Sequence, residues 1–220
     1  LNLWHNDIVP RCFNPDDLGA TADEAVLPDV SEQAIAFIQF SSGSTGSPKG
    51  VALTHKNLLV NIRDIIEMSD WEEGDVFCSW KPLSHDFGMI GYNLAAVVAK
   101  TNQVRIPTDS YIWSPALWMH AVHKFRAAIL GSPNFGYRHF LKLYNRRNKQ
   151  DWDWDLSCVK AILNGAEPIS AKLCNEFMDE MAQYKMHPKA MRPIYGLAEA
   201  SLIVSSCQFN DGVIEHFVHR

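Results

Sequence analysis

The chain has 220 residues, 47% of them hydrophobic, with 20 basic and 25 acidic side chains and a formal net charge of −5. That is enough apolar material for a sizeable core, and the absence of long runs of either charge argues against nucleic acid or an anionic membrane as a partner. No apolar run approaches the ~20 residues that a membrane helix needs, so no membrane insertion is expected. The cysteines Cys12, Cys78, Cys158, Cys174 and Cys207 are scattered without a Cys-x-x-Cys pair, and read as reduced, mostly buried thiols of a cytoplasmic protein.

Residues 1–30 are rich in Asp, Asn and Pro, lack a sustained period, and read as a lead-in segment before a domain spanning 31–220. Ala34 to Phe40 has the length and continuous apolar character of a buried strand. It feeds Ser41-Ser42-Gly43-Ser44-Thr45-Gly46-Ser47-Pro48-Lys49-Gly50, and Val51 to Leu53 makes a short returning strand. The loop has the chemistry of a phosphate cradle. Its glycines let the backbone approach a ligand and turn N–H groups into one concavity, its hydroxyls add donors, and Lys49 adds a mobile cation. It is not the G-x-x-x-x-G-K-[ST] loop: counting from Gly43, Pro48 stands where that pattern needs glycine, and Gly50 follows the lysine. From His55 onward, Leu58, Leu59, Ile62, Ile65 and Ile66 share one helical face, with Thr54 as N-cap.

Asp75 to Trp80 is the next strand. It delivers Lys81-Pro-Leu-Ser-His-Asp-Phe-Gly-Met-Ile-Gly into a turn ahead of an apolar helix from about Met89 to Ala99. His85 and Asp86 thus fall at a strand's C-terminal end, where ligands of open α/β sheets bind; such a pair is either a helix cap or a functional dyad. A strand at Gln103 to Ile106, a helix from Ser114 to Phe125 and a strand at Ala127 to Leu130 follow. His120 and His123 share a helical face, but no third ligand completes a zinc set. Gly131-Ser132-Pro133-Asn134-Phe135-Gly136-Tyr137 opens a helix with proline in its first turn. Asp151 to Asp155, with Trp152 and Trp154, reads as a surface loop with aromatic anchors. Val159 to Leu163 is a strand ending in Asn164-Gly165-Ala166-Glu167-Pro168, and the helix from Ser170 turns Leu173, Phe177, Met178 and Met181 inward. A strand at Met191 to Tyr195 leads into Tyr195-Gly196-Leu197-Ala198-Glu199-Ala200. This alternation of strands and helices predicts an α/β fold with mainly parallel sheets layered with helices.

Phe40 to Leu58, with its Ser-Ser-Gly-Ser-Thr-Gly-Ser-Pro-Lys-Gly loop and following Thr-His-Lys-Asn-Leu, resembles the signature of the adenylate-forming enzymes. The forms Pro-Asn-Phe, Asn-Gly-Ala-Glu-Pro and Tyr-Gly-Leu-Ala-Glu-Ala are most similar to those of the fatty acyl-AMP ligases. The last has Ala198 where the superfamily usually carries threonine. The resemblance runs from about Ala34 to Ser206. It implies part of the large N-terminal domain of such an enzyme, without the C-terminal lid. It further implies ATP and Mg²⁺ as cofactors, and a fatty acid as substrate, activated to an acyl-adenylate for a carrier-protein or CoA thiol.

By the same resemblance, Lys49, His85 and Glu199 are catalytic, and Glu199 holds the metal. Ser41, Ser42, Gly43, Ser44, Thr45, Gly46 and Lys49 take the phosphates. Asn164, Gly165, Ala166 and Glu167, with Tyr195, Gly196, Leu197 and Ala198, embrace the nucleotide. His85, Asp86, Met89, Ile90, Ser132, Pro133, Asn134, Phe135 and Tyr137 line the acyl side. The alternatives are an acyl-CoA ligase, which shares every residue present, or a catalytically incomplete nucleotide-binding or interaction module.

Overall fold

The computed structural model describes residues 28–41, 49–146, 152–208 and 211–216. The chain divides into Leu1–Ser31 and Glu32–Arg220, and every element below lies in the second unit.

Strands β1 (Ile35–Ser41) and β2 (Lys49–Thr54) pair antiparallel as the two arms of a hairpin, with Ser41 opposite Lys49. The sequence predicts β1 to be buried, yet Phe40 is 73% exposed and Ile35 and Ile38 are also exposed. The reason is pairing: β1 joins β2 alone and is not a strand of the main sheet. Thr54 then caps α1 (His55–Met68) in a full capping box, accepting from the Asn57 N–H while the Asn57 side chain accepts from the Thr54 N–H. Leu58, Ile62 and Ile65 are the buried face of that helix.

The main sheet contains β3 (Val76–Ser79), β4 (Asn102–Arg105), β5 (Ile129–Ser132), β6 (Ala161–Asn164), β7 (Met191–Gly196) and β8 (Ile203–Ser206), in the order β4-β3-β5-β6-β7-β8. All neighbours are parallel except β7 and β8. Buried on both faces, the central strands read as apolar runs, and their period of two splits them between two cores. Cys78, Leu130, Ile162 and Met191 face α5 (Ala116–Phe125), α6 (Asn134–Tyr144) and α7 (Ala171–Ala182), through Trp118, Phe140 and Phe177. Phe77, Ile129, Ala161 and Leu163 face α1 and the helical stretch after His85.

That stretch departs from the simple helix expected at Met89 to Ala99. It starts earlier, as α2 (Asp86–Gly88), passes through a π-helical segment at Met89–Leu94, and ends as α3 (Ala95–Val98). A short α4 (Thr108–Trp113) precedes α5, and β8 follows the last motif; neither is anticipated. Two strands begin two residues later than their apolar runs do. Arg126 is left-handed (φ 52°) and the Ala127 N–H closes α5 onto the Val122 carbonyl, while a turn ties the Val159 N–H to Leu156. Trp154 is buried, as an anchor should be. Cys78 and Cys174 are buried free thiols and Cys158 and Cys207 are partly buried ones, whereas Cys12 lies outside the described residues. No helix among the described residues is long and apolar enough to cross a membrane.

Candidate active site

The chain leaves β3 outward to β4, then returns past β3 to β5 and continues to β6 and β7. A crevice therefore opens between the C-terminal ends of β3 and β5, the place where parallel sheets of this kind take their ligands. Two cavities lie along the C-terminal ends of the parallel strands. One, of about 350 Å³, is lined by Trp80, Pro82, Phe135, Ile112 and neighbouring side chains and is largely apolar. The other, of about 180 Å³, is lined by His85, Asp86, Gly196, Leu202 and Ile203 with Phe87 and Ile194. His85 and Ala166 border both.

His85 is the N-cap of α2. Its Nδ1 lies 2.6 Å from Asp86 Oδ1, and the other carboxylate oxygen, Oδ2, accepts from Gln39 Nε2 at 3.0 Å. The Phe87 N–H sits 2.6 Å from Asp86 Oδ1 and 3.1 Å from His85 Nδ1; the shorter contact goes to the carboxylate, leaving Nδ1 to donate its own proton. The hydrogen bond to Asp86 raises the His85 pKa, against partial burial and the neighbouring charge of Lys81. For Asp86, burial pulls upward, but the bonds from His85, the Phe87 N–H and Gln39 together hold its carboxyl below the ordinary value. The cap and the dyad are thus one arrangement.

Around this turn, the expected residues divide. Ser132 and Asn134 are buried and busy with local geometry: the Ser132 hydroxyl donates to the Pro133 carbonyl, and Asn134 Oδ1 accepts from the Ser170 N–H at 3.2 Å. Pro133 and Phe135 border the apolar cavity. Tyr137 turns away from it into the core, against Phe177, with its hydroxyl on the Leu163 carbonyl at 3.1 Å. Ile90 is likewise fully buried in the other core and Met89 packs beside it, because the π-helical turn directs both at the sheet.

Asn164 is buried, donating to Cys174 Sγ at 3.2 Å. A Cβ on Gly165 would stand 2.5 Å from Ile194 Cγ1, so only glycine fits between the two strand exits. Ala166 is left-handed (φ 73°), an uncommon state for a residue with a Cβ, and it turns the chain over the crevice. The Glu167 carboxylate accepts from the Phe135 N–H, capping α6. Tyr195, Gly196 and Leu197 are exposed and Ala198 is half-buried at the end of β7. Glu199 is exposed in the 3-10 turn Ala198–Ala200. Lys49 is exposed at the start of β2, and the Gln39–Asp86 bond ties its hairpin to the His85 turn. Ser42, Gly43, Ser44, Thr45 and Gly46, with the side chain of Ser41, lie outside the described residues.

Lys81 is a further residue at this site that the sequence does not announce. Its side chain is buried, donates from Nζ to the Gly131 carbonyl at 2.6 Å, and lies over the rings of Phe87 (4.2 Å) and Tyr92 (3.6 Å). It thereby bolts the β3 exit to the β5 exit beneath the crevice. Burial drives its pKa well below the ordinary lysine value, against an opposing influence of Cys78. A lysine placed directly after an apolar strand is the signal that could have flagged it. In the window between the lowered native value and ~10.4 the unfolded chain holds a proton that the folded one does not, so this group makes stability rise with pH there. Lys81→Met removes that contribution. Urea unfolding of parent and variant across pH 7 to 10 should show the variant's relative stability greatest at the low end and shrinking as pH rises; a difference independent of pH would contradict the buried-amine assignment.

A model of the AMP-binding enzyme family matches residues 7–216. The chain belongs to the AMP-binding enzymes. It is 37% identical, over 196 residues, to the long-chain-fatty-acid–AMP ligase FadD32 of Mycolicibacterium smegmatis, covering 87% of this chain and 30% of the relative. To the medium-chain-fatty-acid–[acyl-carrier-protein] ligase TtuA of Teredinibacter turnerae it is 34% identical, covering 82% of this chain and 28% of the relative. Its fold superposes on a fatty acyl-adenylate ligase from L. pneumophila, solved with acyl adenylate and pyrophosphate, with a TM-score of 0.77 and 33% identity, over 83% of this chain and 32% of that one. The chain therefore spans about a third of the length of these relatives. The α/β architecture expected from the sequence is that of the family's N-terminal domain.

Among the described residues no three His, Cys, Asp or Glu side chains cluster, and His123 accepts from the Asp155 N–H through Nδ1. An all-protein metal cage is not built from them. One exposed carboxylate, Glu199, is a donor set that suits Mg²⁺, which takes one or two carboxylates together with substrate phosphates and waters.

Proposed function

We propose that the protein containing this chain joins a fatty acid to ATP, forming an acyl-adenylate and pyrophosphate, and passes the acyl group to a carrier-protein or CoA thiol. A carboxylate oxygen of the acid attacks the α-phosphorus, a P–O bond forms, and the bond to the departing pyrophosphate breaks. The observation that carries this reading is the meeting of the two cavities at His85, a largely apolar one for an alkyl chain and a second beside the exposed Tyr195–Glu199 turn for the nucleotide.

In this reading Lys49 and the β1–β2 loop hold the phosphates. His85, whose hold on its proton Asp86 strengthens, donates to charge developing between carboxylate and α-phosphate. Tyr195 offers its exposed ring to adenine, and the Ala166 turn closes over it. Phe135 and Trp80 contact the alkyl chain. Glu199 would hold Mg²⁺, which when bound neutralises charge on the leaving phosphates. We assign residues 31–220 to part of the adenylation domain; relatives about three times as long support a closing domain outside these residues. Free thiols support a reducing, cytoplasmic setting.

Fatty-acid-dependent exchange of labelled pyrophosphate into ATP by the full-length protein is the test. Exchange that requires both fatty acid and Mg²⁺ is expected; no exchange with any carboxylic acid would sink the reading. The 220 residues alone are expected to bind ATP weakly and not to turn over.

A further inference from the structure

Gln39 is a polar side chain in an otherwise apolar run, Ile35 to Phe40, on the strand that leads into the phosphate loop. It is partly buried, and its Nε2 reaches across 47 positions of sequence to Asp86 Oδ2 at 3.0 Å. The amide orientation is forced, since a flipped Gln39 would set its carbonyl oxygen against a carboxylate oxygen. With Oδ1 facing His85 Nδ1 and the Phe87 N–H, both oxygens of Asp86 are then engaged, from two separate elements.

We propose that Gln39 is a positioning residue for His85, acting through Asp86: it holds the carboxylate in the rotamer that keeps the proton on His85 Nδ1 and leaves Nε2 to face the ligand. Without the amide, Asp86 is held through Oδ1 alone, by His85 Nδ1 and the Phe87 N–H, and its carboxylate can turn about that oxygen and loosen from the imidazole. The amide removes that freedom, and because it sits on β1, the hairpin bearing Lys49 and the histidine are held in one register. The titratable groups facing His85 are Asp86, which raises its proton affinity, and the buried Lys81, which lowers it when protonated. Gln39 acts on the first and leaves the second unchanged. That this bears on acyl-adenylate formation rests on the function proposed above; the geometry at His85 does not.

The test is a double-mutant cycle read on the His85 imidazole, using Gln39→Leu, with Gln39→Met as a second variant in case the first folds poorly, in Asp86 and Asp86→Asn backgrounds. In the full-length protein, the His85 ring resonance, assigned by its loss in His85→Gln, is titrated by NMR. With Asp86 present, either Gln39 substitution should shift the titration of His85 downward, because a loosened carboxylate stabilises the imidazolium less. With Asp86→Asn, the same substitution should shift nothing further, since Gln39 then has no carboxylate to hold. Pyrophosphate exchange by Gln39→Leu is expected to fall by about tenfold, the scale of a small misplacement of a reacting group. An unchanged titration with Asp86 present, or an equal shift in both backgrounds, overturns the proposal. Should the titrations follow the cycle while the parent shows no exchange, the positioning role stands and the proposed reaction falls.

Discussion

In the full-length protein, Lys49→Ala is expected to lower fatty-acid-dependent pyrophosphate exchange by about 10²–10³-fold, and raising Mg²⁺ should not restore it. The magnitude is that of removing one preorganised group from a site where charge develops. Lys49 begins β2 opposite Ser41, so its backbone is fixed at the base of the loop while its side chain stays exposed and free to follow a phosphate. Glu199→Gln provides the contrast. It removes a carboxylate and leaves the fold of the 3-10 turn alone, so its defect should be partly rescued by added Mg²⁺. Equal rescue of both variants, measured as exchange rate against Mg²⁺ concentration, would contradict the division of labour between cation and metal ligand.

A second large effect is expected from Gly88→Ala, which touches no ligand. Gly88 ends α2, directly after the His85–Asp86 turn. A Cβ there would stand 2.2 Å from the Pro82 carbonyl oxygen and 3.2 Å from that of Lys81, both backbone atoms that cannot rotate away. The turn between β3 and α2 must open to admit one methyl group, at a cost of about 3 kcal/mol, the upper end for overpacking a close contact. The urea midpoint should fall accordingly with an unchanged m-value. The segment that would move carries both Lys81 and His85, so the variant should lose exchange as well as stability. A midpoint within error of the parent would mean that the turn is slack, and the rigid seat argued for His85 would go with it.

Much of this site is readable because its chemistry is local. The Ser/Gly-rich loop between two short apolar runs specifies a hairpin, Thr54 with Asn57 specifies a helix start, and the buried strands announce themselves as apolar stretches. What stays hidden is whatever depends on strand order. Nothing near Gln39 in sequence indicates that it meets Asp86, and nothing near Lys81 points to Gly131, since both contacts arise only once β3 lies beside β5 and the hairpin packs over the β3 exit. Tyr137 and Ile90 show a related difficulty. The resemblance puts both on the acyl side, but a motif does not say whether a given side chain meets a cavity or the sheet, and both turn to the sheet. The exposure of β1 follows the same logic, for an apolar strand is buried only if something pairs beyond it or packs upon it.

The most direct measurement is the structure of the full-length protein bound to a non-hydrolysable acyl-adenylate. The alkyl chain is expected in the cavity lined by Trp80, Pro133 and Phe135, the adenine against Tyr195 and the Ala166 turn, and His85 Nε2 within hydrogen-bond distance of the group that joins acyl to phosphate. An alkyl chain lodged elsewhere, with that cavity empty and His85 out of reach of the ligand, would contradict the account.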